Sequence, residues 1–559
     1  MEERLNNFQQ LSELGLPDFP AEEWSDEERF LLEPFFTNLD GHVTVIRNLP
    51  PELVGALCSK ASRATGSLIR VFLNEYLKPI LQGEDKKLVK DLKAFVAMFR
   101  EYSPDKVLNN QLARKFYVRW LAEFGDDSIA QMTGVHVNLL YVSQVAMKFI
   151  EDQRMGLEPI EKSTRYVNYG QKVGGRYLYF IPFSEWNTVS ELDDSKLYKE
   201  TLDNLFNVYN LLVPKLTEWL KKNYEEKSSV LEKKAFDTLR GLLPMATVSQ
   251  VAFRGNAQAW EYLVNRTARY PLNEVRLISS AIREELNLEI PSLMARLAEP
   301  KSQFYQAYLA GKREKAKKIA KTYESSTFVY APDVALIEYD SDAEDKILAG
   351  IMFPYSNECW GNIIEWVKSL SYSEKEKIFD EYFTARTERW YKVSRAFENS
   401  YLRFEIVVNA GAYRDLHRHR MQTQDRQYFT INHGYDVPEE VVSAGMEKEF
   451  RAALDSVKPL FVMLNEKYGP ELAQYVVPMA YRMRFYQWQN FRQFFWESEL
   501  RTISQGHPDY RMIEQMKFKL VKEKFPLLAK YMKVDTKDYF FARRGVEEKI
   551  KAKTDKLLK

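Results

Sequence analysis

Arg418-His419-Arg420 is the set of residues in this chain whose types and spacing most directly suggest chemistry. The three residues follow a largely apolar run at positions 404–408, so they place fixed positive charge next to a buried strand. Arginine keeps its charge and carries a planar fork that fits phosphates and carboxylates. By itself such a triplet is typical of a solvated helix end, so its function depends on the elements around it.

Composition excludes several classes of function. The chain has 559 residues, which suits two or three domains. Lysine and arginine number 80 against 79 aspartates and glutamates, so the formal net charge of +1 gives no overall field that would attract nucleic acid. The two cysteines, Cys58 and Cys359, lie far apart, which suits a reducing compartment. There is no signal peptide and no apolar run near the roughly 18–20 residues of a membrane span, so we predict a cytoplasmic protein with no membrane or nucleic-acid partner.

Other polar and aromatic clusters are predicted to be structural. His417 and His419 are too close for a helical pair of ligands and have no cysteine or carboxylate trio beside them, so no metal site is expected. Gly174 and Gly175 indicate a turn without the strand–helix context of a phosphate loop. Residues 362–366 and 485–488 have the spacing of a core helix, so we interpret both as core rather than as base-stacking surfaces.

Two strand–loop–helix segments, far apart in the chain, are predicted from hydrophobic patterning. Residues 42–47 alternate like a strand, and Pro50 and Pro51 then open a helix. Residues 334–339 form a second such strand, and the acidic residues at 340–342 can cap the helix that follows. The recurrence predicts an internal repeat.

The chain contains two copies of one unit, and the fold class is α+β, rich in helix. The corresponding segments are 135–140 with 404–409, 179–182 with 434–438, 242–246 with 476–480, and 276–278 with 511–513. The helix predicted behind each of two prolines, Pro244 and Pro478, carries Asn256 or Asn490 at the same distance. The predicted organisation is a helical lead-in at 1–40, a first unit at 41–310 with additional helix at about 187–234, a basic linker helix at 311–330, and a second unit at 331–559.

Both halves resemble the flavin-dependent thymidylate synthase (ThyX-type) family. The family pattern runs from a glutamate through a strand and a helix to Arg-His-Arg, then to Glu-x-Ser-x-Arg-Tyr, Ala-Arg-x-x-x-Pro, Asn-x-Arg and Leu-Arg. The second half follows it with Phe397-Glu398, Arg418-His419-Arg420, Asn490-Phe491-Arg492 and Leu500-Arg501. The resemblance implies two tandem units, each a small, mainly antiparallel sheet packed with long helices. It also implies a catalytic Arg501 facing the nucleotide base and FAD contacts from Glu398, Arg418, His419, Arg420, Asn490 and Arg492.

Neither half carries the complete family pattern. The second half lacks the Glu-x-Ser-x-Arg-Tyr run, has Gln474 in place of the arginine, and has Asp415 where the family has a glutamine. The first half keeps the run and the arginine, and the resemblance therefore assigns nucleotide binding to Glu161, Ser163, Arg165 and Arg240. A hydroxyl donor with one or two arginines is what a nucleotide monophosphate requires.

The first half has lost the flavin side instead. Its Arg-His-Arg position reads Glu151-Asp152-Gln153, Gln131 replaces the flavin glutamate, and Asn256-Ala257-Gln258 replaces Asn-x-Arg. Two carboxylates at the position of two arginines disfavour a pyrophosphate. The losses of the two copies are complementary, and we hypothesise a composite site, formed within one chain or across a homodimer that imitates the tetramer of the family.

The resemblance predicts a methylation of dUMP, or of a related nucleotide, with methylenetetrahydrofolate and NADPH as co-substrates and FAD as cofactor. The change to Asp415 leaves the identity of the nucleotide open. Decay of duplicated copies explains the same losses of residues. Two alternatives therefore stay open: a catalytically inactive protein that binds flavin or nucleotide, and a helical interaction protein that keeps only the fold.

Overall fold

The computed structural model describes residues 22–102, 110–117, 119, 127–153, 155–182, 189–323, 332–541 and 552–556. The chain forms two compact units. The first comprises residues 1–326 and 437–478, and the second comprises residues 327–436 and 479–559. The predicted fold class is confirmed, since each unit combines a small antiparallel sheet with helices. Within the described ranges, no helix is both long enough and apolar enough to cross a membrane.

The helices are numbered along the chain. Residues 22–323 contain α1 (Asp26–Leu32), α2 (Pro51–Ala61), α3 (Leu68–Phe72), α4 (Lys78–Leu81), α5 (Lys86–Glu101), α6 (Gln111–Tyr117), α7 (Gln144–Glu151), α8 (Val189–Asn223), α9 (Ser228–Leu239), α10 (Ala257–Thr267), α11 (Asn273–Glu289), α12 (Pro291–Met294) and α13 (Pro300–Tyr323). Residues 332–541 contain α14 (Ala343–Met352), α15 (Trp360–Ser369), α16 (Tyr372–Phe383), α17 (Ala410–Leu416), α18 (Glu439–Ser443), α19 (Glu447–Asp455), α20 (Val457–Tyr468), α21 (Pro470–Ala473), α22 (Phe491–Arg501), α23 (Pro508–Lys524) and α24 (Pro526–Ala529).

The first unit is organised around a four-stranded antiparallel sheet. The strands of this unit are β1 (Val43–Ile46), β2 (Gly134–Ser143), β3 (Leu157–Glu161), β4 (Lys172–Val173), β5 (Arg176–Tyr177) and β6 (Val248–Asn256). The sheet has the order β1-β2-β6-β3, while β4 and β5 form a separate hairpin. Gly174 and Gly175 form the turn of that hairpin with φ angles of 57° and 79°, as the sequence predicted.

The additional helix predicted in the first copy is confirmed as α8, which has 35 residues, and α9. Residues 437–478, which come from the second copy, pack on α8 within the same unit. The hydroxyl of Tyr468 donates to Asp194 at 2.7 Å, and the main-chain N–H of Ala246 donates to the carbonyl of Tyr475 at 2.7 Å. The helices within residues 437–478 therefore belong to the same unit as α8 and α9.

The second unit repeats the sheet of the first. Its strands are β7 (Val334–Tyr339), β8 (Tyr401–Asn409), β9 (Thr423–Arg426) and β10 (Arg482–Asn490). They are antiparallel in the order β7-β8-β10-β9, which reproduces β1-β2-β6-β3 strand for strand. Gly134 pairs with Asn256 in the first sheet, and Tyr401 pairs with Asn490 in the second. The internal repeat is confirmed, but the predicted pairing of 135–140 with 404–409 was wrong by two residues, because Val135 corresponds to Leu402.

The residues behind the two prolines form strands, so the prediction of a helix there was wrong. Strands β6 and β10 end at Asn256 and Asn490, and each asparagine then caps the next helix. Asn256 Oδ1 accepts from the N–H of Ala259 at 2.8 Å, and Asn490 Oδ1 accepts from the N–H of Gln493 at 2.9 Å. Asparagine suits this position because its side chain replaces a missing helical acceptor.

The run at 485–488 lies in β10 and not in a core helix. Strand alternation buries Phe485 and turns Trp488 outwards, where it is 38% exposed. A run of four large side chains has no clear period, which is why its length suited a helix as well as a strand. Residues 362–366 do lie in a helix, α15, but only part of the run is core, since Ile363 is buried and Trp366 is 46% exposed.

The side-chain cap predicted for α14 at 340–342 does not form. Asp342 precedes α14 without a side-chain capping bond. Asp340 accepts from the N–H of Asp342 at 3.2 Å and from Lys346 Nζ at 2.8 Å. Asp340 therefore holds the start of α14 partly through an ion pair with Lys346, in the first turn of the helix.

A β-bulge in the first copy shifts the alignment of the two copies by one residue, and it lies before the Arg-His-Arg position. Strand β2 has an extra residue between Leu139 and Val142 relative to β6, and Tyr141 has a φ of 58°. Strand β8 pairs with β10 without such a shift. Helices α7 and α17 both begin after a capping residue, Ser143 and Asn409. Counted from these caps, residues 152–154 of the first copy correspond to Arg418-His419-Arg420. The prediction that residues 151–153 take this position was therefore wrong by one residue. Residue 154 lies outside the described residues.

Candidate functional site

The second unit places Arg418-His419-Arg420 directly after α17. The helix begins after Asn409, whose Oδ1 accepts from the N–H of Ala412 at 2.9 Å. His419 is buried, whereas the side chain of Arg418 is 45% exposed and lies 4.0 Å from the carboxylate of Asp415. The elements thus put the histidine in the core and keep the Arg418 guanidinium accessible to an anion.

The first turn of α22 brings Arg492 to Glu398. Arg492 Nη1 donates to Glu398 Oε1 at 2.6 Å, and Arg395 Nε donates to Glu398 Oε2 at 3.1 Å. Burial opposes ionisation of Glu398, but the hydrogen bonds from Arg492 and Arg395 outweigh it and lower the pKa of the carboxyl. Glu398 is therefore charged at neutral pH and holds the two guanidiniums in place.

His419 connects this cluster with Arg501. Arg501 Nε donates to His419 Nε2 at 2.7 Å, and His419 Nδ1 lies 3.1 Å from Nε2 of Gln493. Burial lowers the pKa of His419 to about 3, and the charge of Arg501 acts in the same direction against the opposing effect of Glu497. The imidazole is therefore neutral at physiological pH and serves as an acceptor for Arg501. The first turn of α22 and His419 together link five residues of the predicted flavin and base side: Glu398, Asn490, Arg492, His419 and Arg501.

The first copy keeps the geometry of the Glu398–Arg492 pair but has lost its charge. Gln131 Nε2 donates to Gln258 Oε1 at 2.9 Å, and these two residues are the counterparts of Glu398 and Arg492. A neutral amide pair offers no fixed positive charge to a pyrophosphate. A hydrogen bond between two glutamines thus replaces the charged pair that the sequence indicated as lost from the first copy.

The first unit brings Ser163, Arg165 and Arg240 together around Asp237. Arg165 donates from Nε and Nη2 to the two oxygens of Asp237, both at 2.9 Å, and Arg240 Nε lies 3.8 Å from the same carboxylate. Ser163 Oγ accepts from the N–H of Arg165 at 3.2 Å. Two guanidiniums thus lie within 4 Å of one carboxylate, and a guanidinium fork is a group that binds phosphate.

Glu161 is directed away from this set and into a buried ion triad. Lys148 Nζ contacts the carboxylates of Glu161 and Glu151, the latter at 2.5 Å, and the lysine side chain has no exposed area. Its position in the core follows from α7, an eight-residue helix of which nearly every residue is buried. The carboxylate of Glu161 therefore balances Lys148 and is withdrawn from solvent.

Two regions of the chain, residues 84–292 and 335–527, match the family model described as thymidylate synthase complementing protein. Together the two regions cover more than half of the chain, and each falls within one copy of the repeat. The chain belongs to the thymidylate synthase complementing protein family. Its motifs place it with the ThyX-type members, as a tandem duplicated one.

Several proteins are similar to this family member over most of their length. A UPF0159 protein of Chlamydia pneumoniae is 34% identical over 533 residues, which cover 92% of this chain and 96% of the relative. A UPF0159 protein of Chlamydia muridarum is 36% identical over 543 residues, covering 95% and 99%. A UPF0159 protein of Thermoplasma acidophilum is 31% identical over 477 residues, covering 78% and 92%. A solved UMP/dUMP methylase of Streptomyces cacaoi, bound with 5-Br dUMP, is 12% identical and covers 35% of this chain and 93% of its own, with a TM-score of 0.28.

The second copy fits the chemistry of a flavin dinucleotide. The side chains of Arg395, Arg418 and Arg492 are 84%, 45% and 40% exposed, so their guanidiniums are accessible to a pyrophosphate. The N-terminus of α22, a helix of 11 residues, lies beside Arg492 and adds helical N–H groups. The first copy has amides at the positions of Glu398 and Arg492 and Asp152 at that of Arg418, and it keeps an arginine only at position 154, the counterpart of Arg420.

Three parts of the site in this family member were not predicted from the sequence. Asp237, the partner of Arg165, lies 72 residues further along the chain, and no motif marks it. Gln493, the link between α22 and His419, is hidden within the helix that carries Asn-x-Arg. The third part is a set of buried charged residues near His419. It includes Glu497 and Lys517, whose side chains have no exposed area.

Proposed function

We propose that this protein methylates a pyrimidine nucleotide, dUMP or a close relative, in a reaction that uses FAD, NADPH and methylenetetrahydrofolate. In this proposal the second copy binds FAD and the first copy binds the phosphate of the nucleotide. The observation that supports it most strongly is the complementary charge of the two sets. Accessible guanidiniums surround Glu398 in the second unit, and the guanidiniums of Arg165 and Arg240 lie beside Asp237 in the first.

The residues of the first unit act by holding the nucleotide. Arg165 and Arg240 attract the phosphate, and Asp237 fixes the orientation of the Arg165 fork. The hydroxyl of Ser163 adds a donor directly beside Arg165. A phosphate held by a fork and a hydroxyl has a defined direction, which positions the pyrimidine ring for reaction.

The residues of the second unit orient the base and stabilise charge. When bound, the flavin supplies the reducing equivalents for methyl formation. Arg501 stabilises negative charge that develops on the pyrimidine, and His419 holds the Arg501 guanidinium by accepting from Nε. Because His419 is neutral, it does not repel Arg501.

A homodimer in the cytoplasm is part of the same proposal. A dimer of a duplicated chain has as many copies of the unit as a tetramer of single copies. A closed symmetric assembly also lets every copy take part in an interface with another copy.

A catalytically inactive FAD-binding protein is the second candidate, and one observation favours it. Asp415 stands where the family has a glutamine, and its carboxylate would repel the phosphate of a nucleotide. In this case FAD would bind, but the nucleotide would not alter the reduction of the flavin.

The test is reconstitution of the full chain with FAD. We expect the purified protein to take up FAD and show the absorbance band of oxidised flavin, because the accessible arginines of the second unit remain available to the pyrophosphate. We also expect dUMP to change the rate of NADPH oxidation by the FAD-loaded protein. Protein that stays colourless in excess FAD contradicts the proposal, and FAD binding without any response to dUMP supports the inactive candidate instead.

A further inference from the structure

Helix α22 exposes one stripe of side chains, and this stripe joins the two ends of the candidate site in the second copy. The residues of α22 that are not buried are Arg492, Trp496, Leu500 and Arg501. The first three are spaced by four residues and therefore share one face of the helix. With a rise of about 1.5 Å per residue, Trp496 lies about 6 Å along the axis from Arg492 and about 7.5 Å before Arg501.

An exposed lysine marks the open face of the Trp496 indole. Lys392 Nζ lies 3.9 Å from the centroid of that ring, and Lys392 is exposed to solvent. A lysine keeps its ammonium in water even where its stem packs on an apolar surface. The face of the indole beneath Lys392 is therefore reached directly from solvent.

The turn that carries Lys392 is fixed to the same helix. Arg386 donates to the two carboxylate oxygens of Glu499, on α22, at 2.6 and 3.0 Å, and both side chains are nearly buried. Arg386 Nε also donates at 2.7 Å to the carbonyl of Tyr391, directly before Lys392. An ion pair with so little exposure is only weakly screened by salt. The surface formed by Trp496 and Lys392 is thus a fixed part of the second unit.

The first copy has a ring at the same helix position without these surroundings. Tyr262 stands where the second copy has Trp496, and it is 46% exposed. One turn earlier, Gln258 replaces Arg492, so the ring lacks an anchor for an anion on the same face. The ring centroid of Tyr262 instead lies 6.4 Å from that of Tyr305. Tyr262 is therefore a matched control for Trp496.

We propose that the indole of Trp496 is the surface on which the isoalloxazine ring of FAD stacks. The inference rests on the proposed function, which puts the pyrophosphate of FAD at Arg492 and the nucleotide base at Arg501. A flavin that supplies reducing equivalents to the base must have its ring between these two ends. Trp496 is the aromatic residue that α22 presents there, and the adenine then extends from the other side of the pyrophosphate.

The contact between Lys392 and Trp496 does not prevent this stacking. Stacking of a heteroaromatic ring on an aromatic side chain is stronger than a cation–π contact at an exposed site. The displaced ammonium returns to water at little cost, because Lys392 is already exposed. The flavin ring therefore replaces the ammonium on the open face of the indole.

Binding of two flavins by the full chain tests which ring lies on Trp496. Trp496→Leu is expected to weaken FAD binding about tenfold, a usual loss when one stacking surface is removed. FMN has the isoalloxazine but no adenine, and its binding is expected to weaken by the same factor. Tyr262→Leu is expected to leave both affinities unchanged. Weaker binding of FAD with unchanged binding of FMN would place the adenine on Trp496 and overturn the inference.

Fluorescence of the bound flavin provides a second measurement. An indole in contact with an isoalloxazine quenches its fluorescence by electron transfer, whereas a phenyl ring does not. We expect a dim flavin in the wild type, a brighter one in Trp496→Leu, and a brighter one at nearly wild-type affinity in Trp496→Phe, which still offers a stacking surface. Equal affinity and equal fluorescence in the wild type and Trp496→Leu would overturn the inference and leave the proposed function intact. A wild-type protein that binds no FAD would refute the proposed function itself.

Discussion

Changing Arg501 to alanine is expected to lower kcat/KM for dUMP by about 10²–10³-fold, the usual effect of removing one donor that stabilises developing charge. Arg501 ends α22, donates through Nε to the buried His419, and stacks near the ring of Tyr510 at 5.7 Å. Both contacts leave the remaining guanidinium nitrogens for the base. FAD binding is expected to persist, because the Glu398–Arg492 pair does not involve Arg501.

Two further variants separate the role of Arg501 from a general loss of charge. Arg501→Lys retains the charge but loses the planar fork, so an intermediate rate is expected. Arg451→Ala removes an arginine from an exposed pair with Glu447 and is expected to react like the wild type. Steady-state kinetics with dUMP as the variable substrate provide the measurement. Wild-type kcat/KM in Arg501→Ala would show that this residue does not face the base.

Changing Lys148 to alanine is expected to lower the free energy of unfolding by about 3–5 kcal/mol, the range found when one partner of a buried ion pair is removed. Lys148 has no exposed area, and its ammonium balances two carboxylates, those of Glu151 and Glu161. Without it, both acids lose a buried cation that favours their ionised forms. Urea denaturation followed by circular dichroism measures the loss.

The pH dependence of this loss identifies its cause. In Lys148→Ala the two carboxyls stay buried without the ammonium, and burial favours the protonated form, so we expect the folded variant to bind more protons than the unfolded chain. The free energy of unfolding of the variant should therefore rise as the pH is lowered from neutral towards the ordinary carboxyl range.

The controls for Lys148 use an exposed lysine and a neutral core. Lys221→Ala breaks an exposed pair with Glu218 and should cost less than about 0.5 kcal/mol. The combination of Lys148→Met with glutamine at positions 151 and 161 should regain most of the stability. A Lys148→Ala protein as stable as Lys221→Ala would mean that the triad is not the buried ion cluster described here.

The repeated sheet was predictable because its determinants are local. The apolar residues at 135–140 and 404–409 lie in the two central strands, and the paired prolines with Asn256 and Asn490 twelve residues later aligned the copies. Whether the residues that follow those prolines form a helix or a strand was not predictable in the same way. A run such as 485–488 has no clear period, and only its pairing with two neighbouring strands makes it a strand.

The bulge at Tyr141 shows a limit of alignment by motif. One extra residue in β2 shifts the alignment of the residues that follow, so a different residue corresponds to each position of Arg-His-Arg. The apolar pattern on both sides of the bulge is undisturbed. The sequence therefore predicted two carboxylates at that position, whereas the helix caps leave only Asp152. Glu151 is instead the counterpart of His417 and belongs to the Lys148 triad.

The buried ion clusters had a signal in the sequence that motif matching did not use. On α23, Glu514 and Lys517 lie on the same face as Tyr510, Ile513 and Val521, at the spacing of an apolar stripe. Charged residues on such a stripe are expected to have partners in the core. Their partner Glu497 lies on a different helix, so its identity required the fold. The same holds for Asp237, which meets Arg165 across 72 residues of chain.

Binding of FAD and dUMP to two variants of the full chain tests the central claim, that the copies divide the work of binding. Arg165→Ala, made together with Asp237→Asn so that no carboxylate is left unpaired, should retain the flavin absorbance band and lose dUMP binding. Arg492→Ala should lose FAD and retain dUMP binding, because Glu398 keeps Arg395 as its partner. Loss of flavin from the Arg165 variant, or wild-type affinities in both variants, would contradict this division between the two copies.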